Sequence, residues 1–152
     1  PEAIDGITFL FQYIEEYGIW PGHIYYNIVV LMGKPTGGSR PIALMPMLYR
    51  LYTKIRRPQI IQWELAHQGP WDAGVKGSSA LRAGLLSMLR DEMAVRLGLD
   101  TLVTLWDMEK FYDNIDIGIL IQEAMTLDYD VTLLSLGLQL HMAPRGLRCY
   151  GF

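Results

Sequence analysis

The sequence predicts an α+β fold, and three observations carry that expectation. Several apolar segments repeat at helical spacing, a run rich in Ile, Val and Tyr and a second, shorter run flank a glycine-rich turn, and a further apolar run ends on an acidic residue. In the first segment Ile7, Leu10, Phe11 and Ile14 fall on one helical face, and Gly18 and Pro21 close the helix. Residues 23–32 read as a strand. Gly33-Lys34-Pro35-Thr36-Gly37-Gly38-Ser39 then reads as a turn, with a second short strand over residues 40–44. The result is a hairpin with one basic residue, Lys34 or Arg40, on each side of its loop.

Pro46 is suited to the first turn of a helix, which would carry Leu48, Leu51, Tyr52 and Ile55 inward; Pro58 kinks or restarts it towards Leu65. Arg50, Lys54 and Arg57 share its other face. Residues 67–77 form a loop, after which Ser78 or Ser79 caps a helix carrying Leu81, Leu85, Leu89, Met93 and Leu97 on one side, up to Gly98. Residues 102–106 read as a buried strand, residues 117–127 and 131–142 as two helices, and residues 145–152 as the start of another strand. No internal repeat, low-complexity tract or linker interrupts the chain, so one domain is expected.

The chain has 152 residues, of which 51% are hydrophobic, enough for a packed core. No apolar run approaches the ~18 residues of a membrane helix, and no basic-then-apolar leader is present, so no membrane partner is expected. The one cysteine, Cys149, cannot pair within the chain, and His23, His67 and His141 show no metal spacing with it. A reducing intracellular compartment, nucleus or cytoplasm, fits.

The net charge of −3 hides a segregation. Between Tyr17 and Trp63 there is no Asp or Glu, yet Lys34, Arg40, Arg50, Lys54, Arg56 and Arg57 lie there. From Asp100 to Asp130 the balance inverts, with Asp107, Glu109, Asp113, Asp116, Glu123 and Asp128 between those two and Lys110 alone against them. The basic stretch suits polyphosphate or a nucleic-acid backbone, and the acidic one suits a metal. Two solvated faces of opposite sign would give the same pattern.

Asp107 stands at the end of the apolar run Leu102-Val103-Thr104-Leu105-Trp106. A carboxylate at the C-terminal edge of a strand, beside an accessible carbonyl, is half of a site for a hard cation such as Mg²⁺. An Asp that ends a strand and caps the next turn is the plainer alternative. The loop around Lys34 and Arg40 lets backbone approach an anion closely, but its glycine spacing matches neither the phosphate loop nor the dinucleotide fingerprint. Phe111 and Tyr112 follow Asp107, at positions that a core would also use.

Taken together, these stretches resemble reverse transcriptases of the non-LTR retrotransposon-like group. Ile28-Val29-Val30-Leu31, Lys34 and Gly37-Gly38-Ser39-Arg40-Pro41-Ile42-Ala43-Leu44 are similar to that family's fingers, where a Lys strand leads through a loop to an Arg-Pro-Ile strand and a helix. Asp107-Met108-Glu109-Lys110-Phe111-Tyr112-Asp113 resembles its first palm motif, and Gly74-Val75-Lys76-Gly77-Ser78-Ser79-Ala80-Leu81 its connecting segment. The resemblance runs from about Trp20 to the C-terminus. It implies a partial right-hand polymerase fold, with fingers and connecting helices over about residues 1–98 and the start of the palm over about residues 99–152, without the rest of the palm and the thumb.

The function so implied is RNA-directed DNA polymerisation, a nucleotidyl transfer in which two Mg²⁺ ions act on an RNA template, a DNA primer and deoxynucleoside triphosphates. Asp107 would be the catalytic carboxylate and, with the Met108 carbonyl, a metal ligand. Lys34 and Arg40 would neutralise the triphosphate, Glu109, Lys110 and Phe111 would flank it, and Tyr112 would lie under its sugar. Asp113 would brace the turn. No Asp-Asp pair occurs in the 152 residues, so the chain is expected to lack polymerase activity by itself. A degenerate, non-catalytic nucleic-acid-binding or interaction module is the alternative. The haloacid-dehalogenase pattern fails, because Glu109 and Phe111 stand where it needs Asp and Thr or Val.

Overall fold

The computed structural model describes residues 2–69, 72–74, 77–104 and 114–148. Over these the chain is α+β. Helix α1 spans Glu2–Tyr17, strands β1 and β2 span Asn27–Gly33 and Ser39–Leu44, and helices α2 and α3 span Met47–His67 and Ala80–Arg96. Helices α4 and α5 follow at Ile117–Thr126 and Val131–His141, and β3 is Arg145–Arg148. Three helices begin on a side chain that accepts from an otherwise orphaned backbone N–H: Ser79 from Arg82, Asp116 from Ile119 and Asp130 from Leu133. No helix among the described residues is long and apolar enough to cross a membrane.

The sheet has the order β2-β1-β3. β1 and β2 are antiparallel from Ile28 opposite Leu44, through Leu31 opposite Pro41, to Gly33 opposite Ser39. β3 runs parallel to β1, from Asn27 beside Arg145 to Val30 beside Arg148. The connecting turn closes on itself, with the Lys34 N–H donating to the Gly38 carbonyl at 3.0 Å and the Gly37 N–H to the Lys34 carbonyl at 3.1 Å. Gly37 and Gly38 both take positive φ, 90° and 82°, which a side chain would resist.

Several expectations shift. The strand expected from residue 23 begins only at Asn27, because Pro21 sets a 3₁₀ turn over Gly22–Ile24 in which the Ile24 N–H donates to the Pro21 carbonyl and Ile24 turns into the core. Helix α2 runs through Pro58, which removes one backbone donor without ending the helix. On α2, Tyr52 is buried as expected, but Ile55 is half exposed. Leu102, Val103 and Thr104 form no strand and are exposed, since no neighbouring strand among the described residues supplies a ladder for them. The leucine face of α3 has no buried member.

The chain divides into two compact units, residues 1–59 with 121–152, and residues 60–120, so the division falls within α2 and α4. The core belongs to the first unit. Phe11 and Ile14 of α1, Trp20, Ile24, Tyr52 of α2, and Leu136 and Leu140 of α5 form one buried cluster. Trp20 is 2% exposed and meets Tyr52 and Tyr49 edge to face, at ring-centroid distances of 5.2 and 5.8 Å. Its Nε1–H donates to the Leu136 carbonyl at 2.9 Å. Asn27, also buried, donates from Nδ2 to the Leu140 carbonyl at 2.6 Å, and its backbone N–H donates to Pro144, so the start of β1 is tied to the end of α5.

Replacing Trp20 with Ala should cost about 3–5 kcal/mol of unfolding free energy. Trp20→Phe should recover part of that, since it keeps a ring but leaves the indole bond unmade. Urea unfolding followed by circular dichroism measures both, and a loss below about 1 kcal/mol for Trp20→Ala would remove this indole from the centre of the core.

Candidate functional site

The hairpin holds the two expected cations that the structure describes. Lys34 lies one residue beyond β1 and Arg40 one residue inside β2, so both stand at the tip, and both are exposed. Neither forms an ion pair among the described residues. The positive-φ glycines carry no side chain into the loop between them. Asp107, Met108, Glu109, Lys110, Phe111 and Tyr112 lie outside the described residues, as does Asp113. Among the described residues no three His, Cys, Asp or Glu side chains gather as a metal would require.

A second polar arrangement is not legible in the sequence. Glu15 on α1 receives the Tyr52 hydroxyl at 2.8 Å and the Arg56 Nε at 2.5 Å, and Arg56 Nη2 also donates to its other oxygen. The guanidinium therefore grips the carboxylate through two nitrogens, the geometry in which Arg outperforms Lys. Its Nη1 also reaches the Gln59 side chain at 3.5 Å. A pocket of about 150 Å³ adjoins this cluster, lined by Glu15, Tyr52, Arg56 and Gln59 and, from α5 and the residue before it, by Asp130, Thr132 and Leu133.

The electrostatics follow from the packing. Burial, reinforced by the neighbouring Glu15 carboxylate, pushes the Tyr52 phenol well above its ordinary value, although Arg56 opposes the shift. The hydrogen bond to Glu15 likewise raises Arg56, so its charge is fixed. Tyr49 is raised too, by burial and then by Tyr129.

This pairing sorts the six front-segment cations. Arg56 is held by Glu15, whereas Lys34, Arg40, Arg50, Lys54 and Arg57 are exposed and have no ion pair among the described residues. No family model, curated protein or solved structure matches the chain.

The raised Tyr52 phenol has a consequence for stability at alkaline pH. Its contribution is complete below the ordinary tyrosine value of 10.0 and is lost as pH rises from there through the folded value. In that window the unfolded chain loses this proton and the folded chain keeps it, a slope of up to about 1.4 kcal/mol per pH unit. Thermal unfolding of the wild type and Tyr52→Phe, compared from neutral to strongly alkaline pH, should show the slope flattened in the variant. Parallel profiles would mean that Tyr52 ionises equally in both states.

Proposed function

We propose that the chain is the fingers and the front of the palm of an RNA-directed DNA polymerase, and that its hairpin receives the triphosphate of an incoming deoxynucleotide. The observation that carries the reading is the hairpin itself: two exposed cations without ion pairs at the tip of an antiparallel pair, either side of a double-glycine turn, with a helix directly after. A triphosphate carries several charges in a compact chain. Lys34 offers a mobile point charge to it, and Arg40 a planar fork that can bond two oxygens at once. Cations already neutralised by carboxylates, as Arg56 is, could not serve in that way.

The reaction class is nucleotidyl transfer to a primer 3′-hydroxyl. When bound, Mg²⁺ would supply the Lewis acidity for that transfer, and the ligands proposed for it, Asp107 and the Met108 carbonyl, rest on the sequence pattern. The described residues contribute anion binding. Glu109, Lys110 and Phe111 are proposed to flank the polyphosphate, with Tyr112 against the sugar.

The hairpin reading predicts that the chain binds a deoxynucleoside triphosphate and that Lys34→Ala combined with Arg40→Ala weakens this at least about tenfold, a loss of about 1.4 kcal/mol. Titration of a fluorescent deoxynucleotide, with circular dichroism to confirm folding, measures it. Equal affinities would leave both residues as plain surface and favour the non-catalytic module.

Tyr112 yields a separate expectation. A ring against the sugar leaves no space for a 2′-hydroxyl, so Tyr112→Val should raise affinity for ribonucleoside triphosphates while leaving deoxynucleotide affinity largely intact. Competition between the two sugar types reads the difference. Equal weakening for both would make Tyr112 a packing residue and remove the discrimination from this proposal.

A further inference from the structure

We propose that the chain associates with a second copy of itself, the outer face of α1 in one copy lying on the outer face of α2 in the other. Both faces belong to the first unit, and the contact requires nothing of the polymerase chemistry. On α1, Glu2, Asp5, Phe9, Tyr13 and Glu16 fall within an arc of about 80°, at about 100° per residue, on the side away from the buried Phe11 and Ile14. Phe9 is 70% exposed and Tyr13 47%. The helix contains no Lys, Arg or His, so this face is aromatic and purely acidic.

On α2, Met47, Arg50, Leu51, Lys54, Ile55 and Arg57 fall within an arc of about 160° on the side away from Tyr52. Met47 is 81% exposed, Leu51 37% and Ile55 51%, a stripe at i, i+4 and i+8 with the three cations along its flank. No Asp or Glu precedes Glu64 on the helix, so this face is aliphatic and purely basic.

The two faces are complements. Three carboxylates and two rings stand against three cations and three aliphatic side chains, over lengths of about 21 Å on α1 and about 15 Å on α2. None of the six charged side chains forms an ion pair among the described residues. They cannot pair within one chain, because α1 and α2 meet through their inner sides: Phe11 lies edge to face on Tyr52, and Glu15 holds Arg56. Both outer faces therefore turn away from the seam between the helices, and a second copy brings what the first cannot reach. Apolar burial supplies attraction, and the opposed charges fix the orientation. The contact is heterologous, since different patches of the two copies meet.

An anionic membrane would occupy the α2 face, with Met47, Leu51 and Ile55 inserted and the cations at the headgroups, but it leaves the exposed rings and carboxylates of α1 without a partner. A second copy covers both faces.

Analytical ultracentrifugation of the full 152-residue chain is the test. The mean mass should rise with concentration above the 17.3 kDa of one chain, with half-association at roughly 10–100 μM, the weak end expected of a small contact. Salt at about 1 M should weaken it at least about tenfold. D5K/E16K and K54E/R57E should each weaken it by a similar factor, and the chain carrying all four substitutions, whose net charge is again −3, should recover it. M47S/I55S, which changes no charge, should also weaken it about tenfold. All six positions are exposed, and circular dichroism checks that each variant folds; should a reversed pair fail to fold, the single substitutions, each expected to weaken association about threefold, take its place.

A wild-type chain that stays monomeric up to about 1 mM overturns the contact, as does association that neither reversal changes, or a folded fourfold variant that stays monomeric. Binding of a monomeric wild type to phosphatidylserine vesicles or to an oligothymidylate, lost in K54E/R57E, gives the α2 face to an anionic partner and overturns it too. Deoxynucleotide binding through Lys34 and Arg40 neither requires this association nor follows from it, so either proposal can fail alone.

Discussion

The burial of one indole organises the first unit. Trp20 sits just after α1, presses edge to face on two tyrosines of α2, and donates its only polar hydrogen to a carbonyl of α5, so three helices meet around one side chain. An indole buried without that acceptor would carry an unsatisfied donor, and the mid-helix carbonyl of Leu136 removes the penalty. Gln139 strengthens the same junction. Its Nε2 donates to the Gly18 carbonyl at 2.6 Å, while its side-chain oxygen accepts from the Tyr25 hydroxyl. Since α5 also anchors Asn27, the position of the sheet depends on this helix and hence on the indole.

Helix α2 then serves two environments at once. Its inner side presents Tyr52 to the core and Arg56 to Glu15, and its outer side keeps Arg50, Lys54 and Arg57 in solvent. The inward ion pair is partly desolvated and also bonded to Tyr52, conditions under which a charge pair orients elements more than it stabilises them. What it orients is the outer stripe. The hairpin before α2 receives no comparable packing; its tip is exposed throughout.

Local signals made much of this legible in the amino-acid order. Ser79 ahead of an apolar repeat marks the start of α3, Gly18 and Pro21 mark the end of α1, and the double glycine after the Ile- and Val-rich run marks the hairpin. Each depends on neighbours within a few residues. The Glu15–Arg56 pair joins residues 41 positions apart, and the Trp20–Leu136 bond spans 116, so no periodicity could announce either. Leu102 to Thr104 shows the converse: β-forming composition does not make a strand unless another strand supplies its hydrogen bonds. As for the candidate site, Lys34 and Arg40 were legible through the turn chemistry, and Asp107 through Tyr112 lie outside the described residues.

Pro41 gives the small sheet a polarity. It faces Leu31 within an uninterrupted antiparallel ladder, and a residue without an N–H fits there with its nitrogen turned away from β1. The outer margin of β2 therefore lacks a donor in mid-strand, so another chain laid along it would meet a gap in the hydrogen-bond row. That discourages edge-to-edge association of the kind that seeds fibrous aggregates, on the margin next to an exposed tip. A cationic loop can thus remain open to solvent without turning its supporting strand into a template for self-assembly.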